Sequence, residues 1–185
     1  MKAKDELASA VGQVAEPVLL YLRHYCGDEQ LAQDLAQETL LRVTRGLPEF
    51  DGRSSLKTWA ITIATRVAAD HYRRSGRQVV ETEFEDETLL LVDDLSLEQQ
   101  FVVDEMNACI RQVIDTLPDE YRAALVLKDL EGFSEKEVAE ILGCSLANAK
   151  IRIHRARKRL QDALDNRCHF YTDRENVFRC DKKQD

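Results

Sequence analysis

The chain has 185 residues, 44% of them hydrophobic, and a formal net charge of −8. That suffices for one or two small domains with buried cores, while no window approaches the ~18 apolar residues of a membrane span. An acidic balance argues against a nucleic-acid partner only when charge is evenly spread. Here residues 81–105 carry ten acidic groups and no basic one, so the remainder stands at +2, with positive charge gathered at Arg66–Arg77 and Lys150–Arg159.

The N-terminal MKAKDELASAVG has no apolar run of signal-peptide length. The five cysteines, at 26, 109, 144, 168 and 180, are odd in number and irregularly spaced, unlike a secreted disulfide framework. A cytoplasmic protein without membrane insertion is expected.

In chain order, Val18, Leu19, Leu22 and Tyr25 recur at helical spacing and predict a helix over Glu16–Tyr25, stopped at Cys26-Gly27. Asp28 is placed to cap a second helix, with Leu31, Leu35, Leu40 and Val43 as its apolar stripe and Gly46 and Pro48 closing it. The loop PEFDGRSS follows, then a helix from Leu56 to Arg74 carrying Trp59, Ile63 and Val67, with Trp59 assigned to the core. Beyond the acidic connector, whose LLLV insert is unusual for a passive spacer, Phe101–Thr116 reads as an amphipathic helix. Pro118 is placed as the first-turn proline of the next.

Ser134 and Glu137 form a capping box at the start of a short helix that Gly143 ends. A second helix follows with six Lys or Arg residues and no acidic one between Asn148 and Leu160. Short helix, tight turn and basic helix are the pattern of a DNA-reading helix-turn-helix. The expected fold is all-α, with two small helical domains joined by an acidic linker. The boundaries are 10–77, 78–100 for the linker, 101–165, and a Cys-containing tail at 166–185. In that tail Cys168, His169 and Cys180 are candidate ligands for zinc or copper. A reversible disulfide, or a hairpin packing Phe170, Tyr171 and Phe178, competes with that reading. No nucleophile–base pair, metal triad or phosphate loop points to an enzyme.

Two stretches carry a family resemblance. DEQLAQDLAQETLLRVTRGLPEFDGRSSLKTWAITIATRVAADHYRR resembles region 2, and LPDEYRAALVLKDLEGFSEKEVAEILGCSLANAKIRIHRARKRL resembles region 4, of bacterial RNA polymerase sigma factors of the sigma-70 family. Their order and the missing intervening domains resemble the extracytoplasmic-function (ECF) group. The resemblance implies a chain that binds core RNA polymerase, recognises the minus-10 and minus-35 elements of promoter DNA, initiates transcription in response to stress or another signal, and is controlled by an anti-sigma factor.

It also implies residue roles. Asp34, Leu35, Gln37, Glu38 and Leu41 would grip the polymerase. Phe50, Asp51, Gly52, Arg53 and Ser54 would hold an unstacked minus-10 base, with Lys57, Arg66, Arg73 and Arg74 on the same DNA. Ser145, Ala147, Asn148, Lys150, Arg152, His154 and Arg155 would face the minus-35 element. The chain departs from the group's usual wording at Thr65-Arg66, where Arg-Asn is common, and at Ala147-Asn148-Ala149, where Gly-Thr-Val is usual, so base preferences do not carry over. A stand-alone helix-turn-helix regulator, or a sigma factor gated by a metal- or redox-sensing tail, are the other readings.

Overall fold

A computed structural model describes residues 2–75, 110–172, 174 and 178–183. The acidic connector and most of the helix expected over 101–116 lie outside the described residues, although residues 110–114 are helical.

The first helix, α1 (Lys2–Cys26), starts well before the expected Glu16 and carries Pro17 inside it. An interior proline costs about 3 kcal/mol. Val14, Val18, Tyr21, Leu22 and Tyr25 on the inward face are at most 2% exposed. Each contributes about 1.5–3 kcal/mol on burial, so packing outweighs the lost hydrogen bond. Helix α2 (Glu29–Gly46) begins at Asp28, whose Oδ1 accepts from the Leu31 amide at 2.9 Å. A 3-10 turn, Leu47–Glu49, leads into the loop, and Ser55 caps α3 (Leu56–Arg74) by accepting from the Thr58 amide. These three helices pack together, and a buried Tyr21–Thr65 hydroxyl pair at 2.9 Å ties α1 to α3.

In the second unit Pro118 stands as the N-cap, one position before the expected first turn, with the extended ψ of 142° that proline tolerates outside a helix. It precedes α4 (Asp119–Leu125), which widens into a π-type turn over Val126–Leu130. Then come α5 (Glu135–Leu142) and α6 (Leu146–Arg167). The Ser134–Glu137 capping box is formed in both directions, and Gly143 takes the left-handed conformation at φ 61°. An antiparallel hairpin, β1 (Cys168–Thr172) with β2 (Phe178–Lys182), is appended to α6 and pairs Phe170 with Cys180. The Lys183 amide donates to the Arg167 carbonyl, and its Nζ to the Asp165 carbonyl, tying the hairpin to the end of α6.

The two helical units share one continuous core. Helix α3 packs against α5, and α1 against the turn after α4. Arg122, 1% exposed, places its guanidinium 5.3 Å from the Tyr25 ring and 4.9 Å from the Tyr72 ring, and its Nη2 donates to the Asp115 and Leu117 carbonyls. His24 Nδ1 meets Glu131 Oε1 at 2.6 Å across the same junction. Gly27, at φ 67°, lets the chain turn where any Cβ would stand 2.7 Å from Asp115 Oδ2.

Candidate polymerase and nucleic-acid interface

On α2 the buried side is Ala32, Leu35, Ala36, Thr39 and Val43. Leu35, expected in the polymerase contact, is therefore a core residue, placed inside by the same helical spacing that turns Asp34, Gln37, Glu38 and Leu41 outward. Leu41 is 58% exposed on this otherwise polar face.

The loop after α2 is held by stacking. Phe50 lies 5.0 Å from Trp59, and a Cβ at Gly46 would meet the Trp59 ring at 3.2 Å, so Trp59 is the platform on which the loop folds back. Gly52 adopts φ 72°, which turns the chain at the tip. Asp51 is held below the usual carboxylate range, first by the Arg53 backbone N–H and also by the Arg53 side chain, whose Nε lies 2.5 Å from Oδ2. Arg53 and Asp51 thus meet each other in the loop, while Ser54 is half-buried.

Helix α3 divides its face in two. Ala60, Ile61, Ala64, Thr65, Val67, Ala68 and Tyr72 are buried, whereas Lys57, Arg66, Arg73 and Arg74 are exposed. Thr65 donates to the Ile61 carbonyl and pairs with Tyr21, so its side chain serves the core. Lys57 sits 4.8 Å over the Phe133 ring of the second unit, and Arg73 pairs with Asp70.

The basic helix α6 packs inward through Ala149, Ile153 and Ala156. Ser145 is its N-cap and accepts from the Asn148 amide at 3.2 Å, which commits its hydroxyl to the turn. Ala147, Asn148, Lys150, His154 and Arg155 are exposed. Two basic groups have acidic neighbours: Lys150 Nζ is 3.4 Å from Glu135, and Arg152 Nη2 is 3.3 Å from Glu120. Arg152 is only 29% exposed and points toward α4. Arg157 pairs with Asp129, which raises its basicity further. Ile151, not singled out from sequence, is 47% exposed in the middle of this face. Its spacing of four from Ala147 was the available signal.

In the tail, Cys168 is buried and His169 exposed, on opposite sides of β1 by strand alternation. The Cys180 side chain lies outside the described residues. Among those described, no three His, Cys, Asp or Glu residues gather as a metal site. Burial pushes the Cys26 thiol up to about 11, marking it as a core group. None of the described helices is long and apolar enough to cross a membrane.

Residues 11–78 match the model of sigma-70 region 2, and residues 107–160 match that of sigma-70 region 4. The chain is 32% identical to RNA polymerase sigma factor SigZ of Bacillus subtilis, over 88% of this chain and 89% of that protein. It is 35% identical to ECF RNA polymerase sigma factor SigE of Mycolicibacterium smegmatis, over 89% of this chain but 62% of that longer protein. Among solved structures, it resembles the sigma factor RpoE bound to the anti-sigma factor NepR from Bartonella quintana. There the TM-score is 0.58 and the identity 26%, over 89% of this chain and 97% of that one. Two polar, basic-rimmed surfaces on separate helical units, in this order and with these relatives, mean that the chain belongs to the extracytoplasmic-function group of sigma-70 RNA polymerase sigma factors.

Proposed function

We propose that this sigma factor joins core RNA polymerase through the exposed face of α2, made by Asp34, Gln37, Glu38 and Leu41. The loop Phe50–Ser54 and the basic side of α3 then engage the minus-10 element, and the outer face of α6 engages the minus-35 element. The working units are residues 10–77 and 101–165, joined by the acidic segment 78–100. The chain contributes recognition and strand opening, while polymerase performs the chemistry, in the cytoplasm. The co-crystallised relative supports an anti-sigma factor as its inhibitor. The hairpin is tied to the end of α6 through Lys183.

The observation that carries the reading is the pair of basic surfaces on two units that share one core. The two promoter elements lie roughly 25 base pairs apart, about 85 Å at ~3.4 Å per base pair. A compact chain of this size has a radius of gyration of only about 16 Å. The closed arrangement therefore reads one element at a time, and α3 and α5 must separate on polymerase for both to be engaged. The segment 78–100 has a covalent reach of about 80 Å, which together with the width of the two units spans that opening.

The test is reconstitution with core polymerase on a promoter library, with dyes on the exposed faces of α2 and α6. Expected are selection of two separated elements and an increase in dye distance on holoenzyme assembly. Sequence-specific promoter binding by the isolated chain, unchanged by polymerase, would overturn the reading in favour of a stand-alone regulator.

A further inference from the structure

Ile151 interrupts the basic stretch of α6 with a β-branched apolar side chain that is 47% exposed. With about 3.6 residues per turn, it falls on the side of the helix opposite the buried Ala149, Ile153 and Ala156. Ala147 precedes it by four residues on the same stripe. Asn148 and Arg155 flank it on one side, Lys150 and His154 on the other. An isoleucine at the crest of a solvated helix gains nothing from water, and its polar flanks do not extend it into an apolar patch.

A helix lying in the major groove meets base edges that are mostly hydrogen-bonding groups. The exception is the 5-methyl of thymine, which calls for an apolar partner. We propose that Ile151, with Ala147 beside it, is a specificity-determining residue of the minus-35 reader and packs on a thymine methyl. The promoter then carries thymine at the base step facing Ile151, beside positions within reach of Asn148 and Arg155. This rests on the sigma-factor reading above. The flanking cationic groups, matched to a phosphate-lined groove, favour DNA over an apolar protein partner as the occupant.

The experiment uses the full chain assembled with core polymerase. A promoter library first defines the minus-35 preference. Each preferred thymine, on either strand, is then replaced by deoxyuridine, which removes only the methyl. At one thymine, initiation should fall about four-fold, the scale of one buried methyl-sized group. Ile151→Ser should make thymine and deoxyuridine equivalent there, and Ile151→Val should keep a reduced preference. No methyl dependence at any thymine, or undiminished dependence in Ile151→Ser, overturns the contact. So does a variant whose polymerase or anti-sigma binding falls while the thymine-to-deoxyuridine ratio stands. Should Ile151→Ser fail to fold, the deoxyuridine scan of the wild type and Ile151→Val still decide. A wild-type holoenzyme that initiates from no library member refutes the sigma-factor reading itself. One that initiates without methyl dependence refutes only this contact.

Discussion

The guanidinium of Arg122 lies 4.9 Å from the centre of the Tyr72 ring, so a cation from the second unit is lodged against the last turns of α3 in the first. Tyr25 stands on another side at 5.3 Å. Among the described residues, Nε and Nη1 have no hydrogen-bond partner, so two ring faces, two carbonyls and the Asp119 carboxylate, 3.7 Å from Nη2, compensate for burying this charge. Arg122→Ala should lower stability by roughly 2–4 kcal/mol, through a cavity and two stranded carbonyls. Arg122→Met should lose about half as much, because it refills the volume and removes a buried charge. Urea denaturation of the two variants measures the difference; equal losses would assign the effect to the hydrogen bonds alone.

The contact of His24 with Glu131 bears on opening. Glu131 is 4% exposed in the closed arrangement, with His24 against its carboxylate. His24→Ala leaves a buried acceptor short of a donor, a cost of about 1–3 kcal/mol that vanishes when the units part and water reaches Glu131. The closed state is weakened relative to the open one, so apparent affinity for core polymerase should rise several-fold. Equilibrium binding of labelled chain to polymerase checks this; an unchanged or lower affinity would mean that opening does not limit assembly.

Leu41 is exposed where the core gains nothing from it. Leu41→Ala should change folding stability by no more than about 0.5 kcal/mol. Polymerase binding should nevertheless weaken by ~10-fold or more, as for an apolar anchor of an interface. Paired thermal melts and polymerase titrations separate the two effects.

Arg155 and Arg152 are three residues apart on α6 but differ in surroundings. Arg155 is exposed, so Arg155→Ala should cost about 1–3 kcal/mol at one base position if it reads a base, or weaken all promoters alike if it holds a phosphate. Arg152 faces Glu120 at 3.3 Å and is mostly covered. Arg152→Ala should therefore reduce stability by up to about 1 kcal/mol and leave the promoter-library profile unchanged.

The capping box sets an acid-side limit on α5. Glu137 is held below its ordinary value of 4.5, first by the Ser134 hydroxyl and then by the Ser134 amide. A carboxyl whose folded pKa is depressed contributes stability above its unfolded value and loses that contribution as pH falls through the folded one. Ser134→Ala should cost about 0.5–2 kcal/mol at neutral pH. It should also flatten the loss of stability below about pH 4.5. Denaturation midpoints of both chains between pH 3 and 7 test the sign; a steeper acid limb in Ser134→Ala would refute it.

Most of the described helices and several of their ends were legible in the chain's own residues, because caps and stops are local. Asp28, Ser55, Ser134 and Ser145 each accept from an amide three residues on, and Gly143 takes the left-handed stop. The paired motifs also carried the family. Tertiary structure decided what depends on packing between distant residues. It extended α1 through Pro17, because a long buried stripe repays a broken backbone bond. It buried Thr65 against Tyr21, and it turned Arg152 toward Glu120. It brought Arg122 between two tyrosines, one 97 and the other 50 residues before it in the chain, joining the units into one core. Only burial distinguishes Ile151, exposed at 47%, from Ile153, two residues on and 4% exposed, because which side of a helix meets a neighbour is set by the neighbour.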